Sequence, residues 1–134
     1  MGSENLELAR RGVDVFNSGD FDAILELLAD DITIDFSASI SPYAGVYSGK
    51  KDARKFLQET REAWDMIRWE PREIVEVGPD EVLIDNVMRA RGKGSGIEVE
   101  GHGAQVWTAR DGLLAHMRLF QSRAEAEEWL EERG

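Results

Sequence analysis

Residues Leu6–Phe36, LELARRGVDVFNSGDFDAILELLADDITIDF, contain three secondary-structure elements in order. Leu6, Ala9, Val13 and Phe16 recur at helical spacing and form one apolar face. Asn17-Ser18-Gly19 breaks that helix, and Gly19 suits a left-handed C-terminal cap. Asp20 can cap a second helix whose apolar face is Phe21, Ile24, Leu25 and Leu28. Ile32-Thr33-Ile34-Asp35-Phe36 then alternates, which predicts a strand with Ile32, Ile34 and Phe36 on one face. Thr33 and Asp35 fall on the other.

Downstream, a loop from Ser37 to Gly49 carries Pro42, Tyr43 and Tyr47. A third helix is predicted from about Lys51 to Met66, with Ala53, Phe56, Leu57, Thr60 and Trp64 on one face. After Pro71 the period changes to two. Arg72–Val77, Glu81–Arg91, Ile97–Arg110 and Leu113–Gln121 read as strands. Gly78-Pro79-Asp80, Gly92–Gly96 and Arg110-Asp111-Gly112 are the turns between them. Short turns between successive strands imply antiparallel pairing. Ser122 with Glu125 makes a capping box for a last helix bearing Ala126, Trp129 and Leu130. Helices ahead of an antiparallel sheet give an α+β fold: a curved sheet wrapped around the third helix as a cone with an open mouth.

The chain has 134 residues, enough for one domain with one core. Its net charge is −11, which disfavours nucleic acid and anionic membrane surfaces as partners. No apolar run approaches a membrane span, and the acidic N-terminus is unlike a signal peptide, so a cytoplasmic location is expected. Cysteine is absent, which removes disulfides, thiolate metal sites and a cysteine nucleophile. Two histidines without a matching carboxylate set make a poor metal site, and neither metal nor cofactor is expected. The glycine-rich Gly92–Gly96 lies between strands and is read as a hairpin turn, not a phosphate loop.

The chain resembles the nuclear-transport-factor-2-like superfamily, in its SnoaL-like branch. The resemblance rests on Phe16-Asn17-Ser18-Gly19-Asp20-Phe21-Asp22, Leu28-Ala29-Asp30-Asp31-Ile32 and Tyr47-Ser48-Gly49. It continues in Gly94-Ser95-Gly96-Ile97-Glu98-Val99 and Val106-Trp107-Thr108-Ala109-Arg110-Asp111-Gly112. It covers nearly all of residues 1–134 as a single domain, and implies a cone-shaped α+β barrel with an apolar pocket. Members are often homodimers that pack through their sheets. They include ketosteroid isomerases, polyketide cyclases, limonene epoxide hydrolases, scytalone dehydratases and non-enzymes, so fold alone leaves the function open.

The resemblance also tests known chemistries. An isomerase needs a carboxylate base and an oxyanion hole made by a tyrosine and a protonated aspartate. Gly12, Phe36 and Ala104 fall at those three positions, and Asp35 beside Phe36 should point out of the cone. The epoxide-hydrolase positions fall at Asn86, Met88 and Leu119, or at Arg118 if the register shifts, without a water-activating carboxylate. Gly101-His102-Gly103 resembles the histidine strand of the dehydratases. His102, expected on an inward face with Ala104 and Val106, is the candidate catalytic acid or base. Asp35 and Asp85 are its candidate partners.

The candidate ligand-binding residues are Tyr43, Tyr47, Trp64, Asn86, Met88, Val106, Met117 and Leu119. Trp107, of opposite parity to Val106, is expected on the outer sheet face at a homodimer interface. His116 is expected at that face or in solvent. The expected partner is a small hydrophobic molecule. Two functions follow: an acid/base isomerase, cyclase or dehydratase acting on a carbonyl-bearing substrate, or a non-catalytic binding or interaction protein.

Overall fold

Helix α1 (Gly2–Ser18) turns its apolar stripe inward, burying Ala9, Val13 and Phe16. The chain reverses at Gly19, whose φ of +80° suits a residue without a side chain. Asp20 caps helix α2 (Phe21–Leu27), its carboxylate accepting from the Ala23 N–H at 3.1 Å. Strand β1 (Leu28–Asp35) follows directly. A short strand β2 (Val46–Ser48), within the predicted loop, precedes helix α3 (Gly49–Ala63). Then come β3 (Trp64–Gly78), β4 (Glu81–Gly92), β5 (Glu98–Arg110), β6 (Leu113–Phe120) and helix α4 (Arg123–Arg133). This computed structural model describes residues 2–37 and 45–133, so Tyr43 and Pro42 lie outside the described residues.

The sheet is a curved, unclosed one of six strands in the order β2-β1-β6-β5-β4-β3. The late strands pair antiparallel as their turns required. The β5–β6 turn places Asp111 (φ +56°) and Gly112 (φ +78°) in the left-handed region that matches strand twist. The parallel pairing of β1 with β6 closes the fold, joining the first strand to the last.

Two predicted boundaries move. The third helix stops at Ala63 rather than Met66, and Trp64 opens β3 instead of sitting on the helix face. Strand β3 also runs through Pro71. Proline is tolerated there because β3 is an edge strand with a register shift between Pro71 and Glu73.

Helices cover the concave face, and α4 covers part of the outer face. On the concave face Ile34, Trp69, Val82, Ile84, Trp107 and Met117 pack with α1, α2 and α3. On the outer face Leu83, Ala104, Val106 and Phe120 pack under Ala126, Trp129 and Leu130 of α4. Ser122 caps α4 by accepting from the Glu125 N–H, and the Glu125 carboxylate reaches back to the Gln121 N–H. Arg123 at the start of α4 pairs with Glu73, with Glu127 and, at 3.6 Å, with Asp85 on the same outer face.

Asn17 fastens α1 to the sheet. Its carboxamide donates to the Trp69 carbonyl and accepts from the Trp69 N–H, both at 2.8 Å. It takes up the outward-facing groups of edge strand β3 as a neighbouring strand would.

Candidate functional site

At the centre of the cone lies a cavity of about 30 Å3. That is room for about two water molecules. Its lining is apolar throughout: Gly12 and Phe16 from α1, residues of α2 and β1, Phe36, Phe56 and Leu57 of α3, Trp69, Trp107, Leu114 and Met117. Aromatic rings supply most of the bulk. Phe16 stacks on Trp69 at 3.9 Å, Phe36 meets Phe56 edge-on at 5.2 Å, and Tyr47 leans on Phe56 at 4.8 Å. These side chains narrow the interior of the cone among the described residues.

Trp107 decides much of this. It is 2% exposed on the concave face, and its indole N–H donates to Gln105 Oε1 at 2.7 Å. A β-carbon on Gly12 would stand 2.7 Å from the Trp107 ring. The room in which an isomerase-like tyrosine would stand is therefore taken by an indole from β5. The expectation of Trp107 as an outer-face interface residue is corrected.

The other candidates divide between the two faces. Met117 lines the cavity. Tyr47, Met88 and Leu119 pack against the same core as partly buried side chains. Burial, with the negative charge of Glu59 nearby, pushes the Tyr47 phenol above its usual range. Trp64 begins β3 opposite Gly92, away from the cavity lining. Val106 belongs to the outer core beneath α4.

His102 shares a face with Ala104 and Val106 as expected, but that face is the outer one. Its imidazole is 62% exposed and stands 3.7 Å from Glu100, in a charged stretch with Arg89 and Glu70. Asp35 also faces outward. Its carboxylate accepts from the Ser37 N–H and hydroxyl and pairs with Arg118 at 2.9 Å. Burial alone would raise its pKa; the Ser37 hydrogen bonds, then Arg118 and His116, outweigh burial and hold it below the usual value. The Arg118 guanidinium also lies 5.0 Å from the centre of the Trp129 ring on α4. Asp85 faces Arg123 on the same outer side. The proposed acid/base constellation of His102 with Asp35 or Asp85 is thus not assembled at the cavity.

The concave face carries two buried carboxamides. Asn86 on β4 was expected there; Gln105 was not singled out, although its alternation with Trp107 is visible in the sequence. Gln105 is engaged by Trp107. Asn86 is 5% exposed, and its Oδ1 has no hydrogen-bond partner among the described residues. An acceptor buried without a donor costs about 1–3 kcal/mol.

A second, polar depression of about 150 Å3 lies between the α1–α2 turn and α3. Its charges are already engaged: Arg54 with Asp22 at 3.6 Å, and Arg61 with the Gly19 carbonyl and the Phe21 ring. Among the described residues no group of three or more His, Asp or Glu side chains is arranged to hold a metal ion. No helix among them is long and apolar enough to cross a membrane.

A curved, unclosed sheet wrapped around three helices with an apolar centre is the architecture of the nuclear-transport-factor-2-like proteins. Within that class the chain belongs to the SnoaL-like domain family, whose model matches residues 9–117. No curated protein matches it in sequence. Among solved structures it is similar to TerC, co-crystallised with polyporic acid: 21% identity, TM-score 0.76, over 96% of this chain and 98% of that one. A Mycobacterium tuberculosis protein in complex with estradiol-17β-hemisuccinate is 21% identical with TM-score 0.78, over 90% of this chain and 95% of that one. SalBIII, an epoxide hydrolase/cyclase-like enzyme with a role in pyran ring formation in the polyether salinomycin, is 19% identical with TM-score 0.78, over 91% and 93%. At such identities the likeness establishes the fold.

Proposed function

We propose that the chain binds a small, largely apolar molecule inside the cone, without the acid/base groups of the superfamily reactions considered above. One observation carries this reading: the cavity at the cone centre is lined by apolar side chains and a glycine, while His102, Asp35 and Asp85 face the outer side. The binding surface in this reading takes in Met117 and Phe36, with Tyr47, Met88 and Leu119 adjoining it. Similar folds holding polyporic acid and an estradiol derivative support an apolar, ring-bearing ligand. Because the cavity is small, binding must displace side chains, so the ligand selects or induces a wider state. His102 has no part in this reading. Self-association through the outer sheet face, expected from the resemblance, loses Trp107 as its anchor and carries no weight here.

The test is equilibrium dialysis of the intact protein against neutral bicyclic aromatics. Saturable binding at one site is expected, weakened at least tenfold in Met117→Trp, which fills the cavity. Absence of saturable binding by any such probe overturns the reading. Turnover of a carbonyl-bearing substrate that persists in Met117→Trp would overturn it as well.

A further inference from the structure

Asn86 sits where the cone's two indoles converge. Trp69 pairs in register with Met88, and Trp107 with Val82, six positions apart along β4. Ile84 and Asn86 lie between them on the same face, yet the indole rings are 6.2 Å apart. The sheet curvature therefore brings both rings together above the stretch of β4 that holds Asn86. The in-register neighbours of Asn86 are Pro71 on one side and Gly103 on the other. Proline has no N–H and glycine has no side chain, so neither strand supplies Oδ1 with a side-chain donor. The result is an acceptor that is 5% exposed and unpartnered; Trp69 and Trp107 line the cavity, and Asn86 itself lies behind that lining.

Buried orphan acceptors are uncommon, and each calls for an explanation such as a ligand or water. We propose that Asn86 is the polar contact of the cone: in the widened state, with the indoles moved apart, its carboxamide oxygen accepts a hydrogen bond from a hydroxyl or N–H of the bound molecule. This rests on the ligand-binding reading above and adds the ligand's chemistry. The ligand is flat, because it must slide against the indoles. It is uncharged, because no charged side chain lines the cavity and the chain's net charge of −11 repels anions. It carries a donor at one end. A ligand presenting only acceptors leaves Asn86 Oδ1 unsatisfied.

The probes are 2-naphthol, which has a donor, and 2-methoxynaphthalene, which has the same ring system without one. Each is dialysed against the intact protein. The wild type is expected to prefer 2-naphthol by about fivefold to tenfold, the worth of one hydrogen bond. In Asn86→Leu that preference falls to about one, whereas 2-methoxynaphthalene binds as before. The unliganded Asn86→Leu protein melts at or above the wild-type temperature, since an unpaired polar group has been replaced by an apolar one of similar size. Asn86→Ala gives the same loss of preference should the leucine variant not fold. Both probes binding without preference, or the preference surviving in both variants, overturns the assignment of Asn86 and leaves the binding reading standing. Neither probe binding the wild type overturns both.

Discussion

On β5, Gln105 and Trp107 enter the cone, while Ala104 and Val106 lie under α4. All four are buried, but the two sides of the strand differ in chemistry. The cone side is rich in aromatic rings, and its buried polar groups among the described residues are Asn86 and Gln105 on the sheet and Thr60 on α3. The outer side holds the charges: Asp35 with Arg118, Asp85 with Arg123, Glu100 with Arg89 and His102. The candidate acid/base groups His102, Asp35 and Asp85 lie on the side of the sheet away from the cavity. The cavity side is apolar and the outer side charged, and substitutions on the two sides should separate accordingly.

The largest effect is expected from Trp107→Ala. Removing this ring from the cone opens a void against Gly12 and Trp69, at about 3–5 kcal/mol of stability by urea unfolding. A loss under about 1 kcal/mol would mean that the indole does not hold the cone shut. On the outer side, Asp35→Asn should lose about 2 kcal/mol at pH 7, because Arg118 keeps its charge beside Trp129 without a counter-ion. The Asp35 pKa is lowered in the fold, so its contribution is fully present above the usual carboxylate value of 3.8 and disappears as pH falls through the lowered value. The gap between wild type and Asp35→Asn should therefore close in acid; a constant gap would contradict the ion pair.

Gly12→Ala sets two terms against each other. Alanine gains about 1 kcal/mol of helix propensity, and overpacking against Trp107 costs about 1–3 kcal/mol. With a contact of 2.7 Å against a buried ring, the clash should win by about 1 kcal/mol. In a Trp107→Phe background the same change should become neutral or stabilising. The smallest effect belongs to His102→Ala, within about 0.5 kcal/mol in stability and without effect on ligand binding. A loss of binding or turnover in that variant would reverse the contrast between the two sides.

These contrasts also explain what could be read before the structure. Helical spacing located α1, α2 and α4, and turn residues located the late strands. Alternation correctly grouped His102 with Ala104 and Val106, and set Trp107 on the opposite face. It does not say which group is inside, because a sheet buried on both faces is apolar on both. The cover over Val106 comes from α4, an element beyond the strand's own pattern. Asp35 was expected to point outward, opposite Ile32, Ile34 and Phe36, although a one-residue register slip would have turned it inward; the pairing with Arg118 places it on the outer face. Trp64 was assigned to α3 because tryptophan at that spacing extends the helical stripe, although its backbone already pairs with Gly92. The orphaned oxygen of Asn86 was illegible, since it depends on Pro71 and Gly103 arriving beside it from strands far apart in the chain.

Asn17 has a consequence beyond holding α1 in place. Strand β3 is one rim of an unclosed sheet, and a bare rim is a template on which another chain can add a strand. By occupying both main-chain groups of Trp69, the Asn17 side chain ends the ladder in mid-strand. At Trp69, then, a single carboxamide stands where the backbone of an added strand would pair.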